Sequence, residues 1–526
     1  MSHPRSLDAW LRQPFTRRSL LAGGAALCGL RHAHVLAQGT GAAAPRWTTS
    51  PFSLGVASGD PSSDGMVLWT RLAPEPLNGG GMAPTPVDVS WEVASDERMT
   101  RVVKKGTARA EVLWAHSVHV EVNGLDADRW YWYRFRAGDA QSPIGRTRTL
   151  PRAGASVDRL RFAFASCQHY ETGLFTAYQH LAEEDLDLVF HLGDYIYEGV
   201  GVDGRPRKHV GGKLLTIEDY RNRHAQYKTD PYLQAAHARF PWLVTWDDHE
   251  VEDNYADALS RFEPESAKFL EQRAFAYHSY YEHMPLRRSS IPKGAGLQLY
   301  RDFAYGSLGA FFILDTRQFR TDQPCADGNK VPCDATFDPK ATLLGEKQED
   351  WLFKGMRASK SKWNVLPQQV MMARVDRFPG EEQRFSMDQW PGYDASLKRM
   401  LQFLGTAKPS NPIVLTGDIH TNWVNDLKLD FGDEKSPLVG TEFVGTSITS
   451  GGDGAADLTA ANTSMLAENP FVKYYSNRRG YVSCTVTPRE LRADYQTVDF
   501  VTWPDAPKKT AASFVVEDKW PGAKKI

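Results

Sequence analysis

Four short apolar runs in this chain each stop on residues suited to holding cations or moving protons, and that recurrence constrains the fold more than any other feature. Leu160-Arg-Phe-Ala-Phe-Ala165 breaks at Ser166-Cys167-Gln168, and Leu186 to Leu192 breaks at Gly193-Asp194. Trp242 to Trp246 leads into Asp247-Asp248-His249-Glu250, and Ile413 to Thr416 into Gly417-Asp418-Ile419-His420. Runs this short and apolar read as buried strands. A helical stretch, Phe175 to Glu184, lies between the first two, and Ala310 to Leu314 adds another strand. Strands interleaved with helices predict an α/β layered domain whose site gathers at strand ends.

Residues 50 to 150 have a different texture. Val87 to Val93 and Ser117 to Val122 alternate apolar and polar, Trp130 to Phe135 is an aromatic strand, and Gly, Asp and Pro clusters separate the runs. This pattern predicts a small all-β, immunoglobulin-like or fibronectin-like sandwich. A chain of 526 residues exceeds one ordinary core, so two domains are expected. The boundaries fall at 45–150 for the sandwich and 158–500 for the α/β domain, with a Pro/Gly/Ala/Ser linker between them and a C-terminal tail over 501–526. The Gly-rich run from Gly445 to Gly454 is expected as a loop near the site.

At the N-terminus, Arg17-Arg18 precedes a modest apolar stretch from Leu20 to Leu30, and small residues follow up to Ala37. This reads as a twin-arginine export signal over residues 1–37, placing the mature protein in the periplasm or outside the cell with the export machinery as a partner. No stretch approaches the length of a stable membrane span. A formal net charge of −2 supplies no basic field for nucleic acid. The mature chain is expected to be a monomer. Of the five cysteines, Cys325 and Cys333 enclose a Pro/Gly/Asp/Asn loop and suit a disulfide, Cys484 reads as a core thiol, and Cys28 lies in the signal.

One acidic residue after a strand means little. Four strand ends supplying Cys167, Asp194 with Tyr197, Asp248 with His249, and Asp418 with His420 form a chemical set. Hydrolysis of a phosphate ester needs such a set, because the anionic ester repels a hydroxide nucleophile. Two cations about 3.5–4 Å apart bind the phosphate oxygens and lower the pKa of the attacking water. Asp194 is the expected bridge between them, and Gly193 before it permits close approach. Asp418 and His420 offer an oxygen and a nitrogen donor from one extended segment.

The blocks Phe164-Ala-Ser-Cys-Gln168, His191-Leu-Gly-Asp-Tyr-Ile-Tyr-Glu198, Thr245-Trp-Asp-Asp-His-Glu250 and Leu415-Thr-Gly-Asp-Ile-His420 occur in that order. Together they resemble the PhoD-type alkaline phosphatases, relatives of purple acid phosphatases in the calcineurin-like metallophosphoesterase superfamily. Phe52 to Pro61 resembles the opening of that family's N-terminal β domain. The resemblance implies a metallophosphoesterase β-sandwich flanked by helices. It also implies Fe3+ held by Cys167, Asp194, Tyr197 and His420, and Ca2+ beside it at Asp194 and Asp418 with a ligand from the Asp-Asp-His-Glu-Val-Glu-Asp-Asn block, either Asp248 or Asn254. His249 matches a histidine that faces the leaving group, and attack on phosphorus by a metal-bound oxide or hydroxide follows, with Asp194 and Asp418 in the catalytic centre. The family's second-metal histidine has no counterpart in Gln368 to Arg374, which suits oxygen-preferring calcium.

The resulting expectation is a phosphomonoesterase with some diesterase activity. The alternatives are a phospholipase D-like diesterase acting on phospholipid or teichoic acid and, remotely, a non-catalytic metal-stabilised binding protein. Asp247 is expected as a structural hydrogen-bonding group, Asp315 as a turn cap or a partner of Arg317, and Arg205, Arg207, Lys208 and His209 as a solvated basic loop.

Overall fold

The computed structural model describes residues 45–263 and 267–526; the expected export signal lies outside the described residues. Arg46–Ile526 form one compact unit.

Two sheets stack face to face, and each carries helices on its outer surface. In the first, the strands Leu160–Ala165, Leu188–His191 and Pro241–Val244 run parallel. The second contains the parallel strands Gly309–Ile313, Trp363–Pro367, Pro412–Thr416 and Leu438–Val444. The long strand Val472–Val486 pairs antiparallel with Leu160–Ala165 at one end and with Asn422–Lys428 at the other, joining the two sheets. Alternation along each strand sorts the side chains. Leu160, Phe162, Phe164, Leu188, Phe190, Leu243, Ile413 and Leu415 point into the layer between the sheets. Ala163, Val189, Trp242 and Val244 face outward, under the helices Ile217–Lys228, Pro231–Arg239 and Phe269–His283. Val414 and Leu366 face outward under Glu346–Ala358 and Asp394–Ala407. Strands covered on both faces need no polar alternation, which explains why they read as continuous apolar runs.

The N-terminal region is a two-layer β element. Val56–Gly59, Met66–Arg71 and Ser117–Val122 face a five-stranded sheet containing Val87–Ala94, Val102–Ala110 and Trp130–Ala137, with Val56, Leu68, Val93, Val120 and Phe135 between them. It is not strung on a free linker: Ser58 and Gly59 pair in parallel register with Pro241 and Trp242, so its first sheet continues that of the α/β domain.

The segment 501–526, expected as a tail, is instead part of the fold. Lys508–Glu517 and Trp520–Lys525 extend the first sheet beyond Glu490–Val498, and Phe514 and Val516 enter the inner core. Phe514-Val-Val516 is itself a short buried apolar run, but Lys-rich flanks masked it. Cys325 and Cys333 form a disulfide, and Cys484 is a buried free thiol.

Candidate metal centre

The carboxyl ends of the four chemistry-bearing strands open onto one edge of the sandwich. Strands deliver direction and loops deliver the side chains, through backbone turns that few residues adopt. Cys167, Asp194, Asn254, Asp418 and His420 all have left-handed φ, between 50° and 63°. Non-glycine residues in this region carry strain, which clusters at functional sites. Gly193 (φ 113°) shows how tightly the loops meet, since a Cβ there would lie 2.5 Å from the Asp247 Cβ. The Gly193 carbonyl accepts from Cys167 N at 3.1 Å, tying the first two strand ends together.

Ligand atoms of Cys167, Asp194 and His420 lie within 4.8 Å of one another, as do those of Asp194, Asp248 and His249. Asp194 is common to both groups. The Tyr197 hydroxyl stands between them, 2.7 Å from Asp194 Oδ2 and 3.2 Å from His420 Nε2. Asp248 Oδ2 accepts from the Asn254 backbone N–H at 2.7 Å, while the Asn254 side-chain amide donates to Asp327 at 2.9 Å. Asp418 Oδ2 accepts from Gln389 Nε2 at 3.0 Å.

Electrostatically this cluster is over-supplied with negative charge. Burial and then Asp388 push Asp418 up to about 6. Burial drives the Cys167 thiol and the Tyr197 phenol well above their ordinary ranges, with Asp194 next in each case. Asp194 Oδ1 and Asp248 Oδ1 are buried without a hydrogen-bond partner. Native interiors rarely leave carboxylate oxygens orphaned. Polyvalent cations among these atoms remove both costs, so the residues fit the metals their chemistry suggests.

Behind the cluster lies a framework that sequence reasoning missed. Glu250 accepts backbone N–H groups from Asp194, Tyr195 and Asp247 at 3.2, 2.6 and 2.9 Å, clamping two of the strand ends. Burial and then Asp194 raise it to about 8. Arg317, fully buried, pairs with Asp247 at 2.5 Å and bidentately with Asp388 at 2.7 and 2.8 Å. Asp247 is therefore an ion-pair partner as well as a hydrogen-bonding group. Asp315 caps the turn, accepting from Arg317 N and Gln318 N. Only the run Asp315-Thr-Arg317 after a strand hinted at this, and nothing marked Asp388. The basic loop is spent on structure: Arg205 pairs with Glu171, and Arg207 with Asp230. Gln368 and Gln369 bond to Thr416 and Thr245, serving the framework in the segment where no counterpart of a second-metal histidine was found.

His249 sits at the opening. Its Nδ1 meets Glu198 Oε2 at 2.8 Å and its Nε2 lies 3.7 Å from Asp253. Burial disfavours the imidazolium, yet Glu198, Asp248 and Asp194 outweigh it and hold the ring well above its ordinary range. His169, across the Tyr197 ring, is pushed down to about 3 by burial and Arg205, so it stays neutral.

A sandwich with such a cluster at its strand ends has the make-up of a metal-assisted hydrolytic centre, and comparison with known proteins assigns the class, a hydrolase of phosphoric esters. Residues 162–495 match the PhoD-like phosphatase family and residues 38–151 its N-terminal domain. The chain belongs to the PhoD-like phosphatases. It is 49% identical to alkaline phosphatase D of Bacillus subtilis (strain 168), over all of this chain and 93% of that protein. A solved structure of PhoD superposes with a TM-score of 0.89 at 52% identity, covering 92% of this chain and 93% of the other.

Proposed function

We propose that this phosphoric ester hydrolase works with Fe3+ held by Cys167, Asp194, Tyr197 and His420, and with Ca2+ beside it held by Asp194, Asp248 and Asp418, on mono- and diesters outside the cytoplasm. The observation that carries this reading is the approach of a thiol, a carboxylate and an imidazole to within 4.8 Å, with a phenol oxygen against the last two. Thiolate and phenolate suit Fe3+, and carboxylate oxygens suit Ca2+. Asn254 has turned its side-chain amide to Asp327, which favours Asp248 as the ligand from that block. The Cys325–Cys333 disulfide and the paired arginines at the N-terminus support export.

The bound ions would act as Lewis acids and lower the pKa of the attacking water. Asp194 and Asp418 would hold the cations against which the phosphoryl group is positioned. His249, kept protonated by Glu198, gives its proton to the leaving-group oxygen as the P–O bond breaks.

Turnover of p-nitrophenyl phosphate and of bis(p-nitrophenyl) phosphate across pH, with and without excess calcium chelator, tests the proposal. Release of product from both, abolished by the chelator and restored by Ca2+, is expected. Full activity in the chelator would overturn the calcium assignment.

A further inference from the structure

The Gly-rich loop after Leu438–Val444 folds back against the cluster and brings Ser450, 2% exposed, into it. The loop is held firmly. Ile448 N donates to the Ser166 carbonyl at 3.0 Å, Thr449 Oγ1 to the His169 carbonyl at 2.8 Å, and Ser447 Oγ to the Ser450 carbonyl at 2.6 Å. Asp453 accepts from the N–H groups of Val501 and Thr502 at 2.7 and 2.9 Å. Ser450 Oγ is thereby fixed 2.7 Å from the Tyr197 oxygen, 2.8 Å from the Cys167 carbonyl and 3.2 Å from His169 N.

A hydroxyl has one proton to give, so its partners decide where that proton goes. Tyr197 directs its own proton to Asp194 Oδ2 at 2.7 Å. The contact between Tyr197 and Ser450 then needs a proton from Ser450. The Cys167 carbonyl loses little by this, because the N–H groups of Ser450 and Thr449 reach it at 3.2 and 3.4 Å. The N–H of His169 donates to Ser450 Oγ, which completes the serine's bonding. The rings of His169 and His249, with centroids 4.4 and 4.1 Å from that of Tyr197, confine the phenol further.

We infer that Ser450 is a positioning residue for Tyr197: it donates a hydrogen bond to the phenol oxygen, aims that oxygen at the space shared with Asp194 and His420, and sets its electron density as a ligand. The inference rests on the assignment of Tyr197 to iron. The contact to Asp194 can be displaced by a cation, whereas Ser450 approaches from the protein side and keeps its place. A donor on a ligand oxygen draws density away from it and tunes the metal, as outer hydrogen bonds do at metal sites generally.

The test is the visible absorption of purified, iron-loaded enzyme. Wild type is expected to show a tyrosinate-to-iron charge-transfer band. S450A, stripped of the donated proton, should move that band to longer wavelength, and S450T, which keeps a hydroxyl, should move it back toward the wild-type position. Iron content and circular dichroism of each variant are measured alongside. Loss of iron from folded S450A, with iron retained in S450T, would equally support the role. A folded, iron-loaded S450A with the band unmoved would overturn it while leaving Tyr197 as a ligand. A colourless wild type carrying iron would overturn the Tyr197 assignment itself, and the role of Ser450 with it.

Discussion

At the scale of single residues, charge placement decides what each group can do. Burial opposes a charged His249 ring. Glu198, which is not among the proposed metal ligands and meets Nδ1 at 2.8 Å, leads the groups that raise it above the ordinary histidine range, so His249 is placed to act as an acid. H249A should therefore lose about 10²–10⁴ in kcat on alkyl phosphates, whose leaving alkoxide needs a proton, and far less on p-nitrophenyl phosphate, whose phenolate leaves without one. Equal losses on both substrates would remove His249 from that role. Glu198 is the first of the groups that raise the ring, so E198Q should bring the alkaline limb of the pH–rate profile to lower pH. These side chains were legible in the sequence because each follows an apolar run directly. Arg317 and Asp388 were not, because a buried ion pair between residues 71 apart leaves no local pattern.

At the scale of elements, the site depends on how closely strand ends approach one another. Gly193 combines a left-handed backbone with contact against Asp247, and both exclude a Cβ. G193A should separate the second and third strand ends, so the purified variant should retain its secondary structure but lose most of its bound metal and activity. Metal content by elemental analysis checks this, and full occupancy in G193A would refute the close-approach account. The strands leading to the site were readable from their lengths and apolar composition. The last two strands of the first sheet were not, because Lys508, Lys509, Lys524 and Lys525 frame them as a solvated end. Edge strands commonly carry such lysines as protection against further pairing, so the same charges that suggested a tail belong to a sheet margin.

At the scale of the whole molecule, the layer between the first sheet and its helices holds a buried lysine with no hydrogen-bond partner. Lys228 Nζ lies 4.4 Å from the Trp69 ring and 5.3 Å from that of Tyr195. His191, His224, His237 and His283 lie around it and are themselves held low by burial. Burial brings Lys228 down to about 7 from 10.5. Its folded value is depressed, so between about pH 7 and 10.5 the unfolded chain binds the additional proton, and this group's contribution to stability grows as pH rises through that window. The slope is at most about 1.4 kcal/mol per pH unit. K228M should raise the melting temperature near pH 7 and reduce its rise toward alkaline pH relative to wild type; parallel curves for the two proteins would contradict this. The overall layering was visible in the spacing of strands and helices, whereas the histidine-rich packing around Lys228 was not, since its members come from separate elements and only the fold brings them together. The central claim remains the meeting of separate strand ends around iron, and anomalous diffraction at the iron absorption edge from crystals of active enzyme tests it most directly. A peak within bonding distance of Cys167 Sγ, Asp194, the Tyr197 oxygen and His420 Nε2 is predicted, and fully active crystals with no iron peak among those four side chains would contradict it.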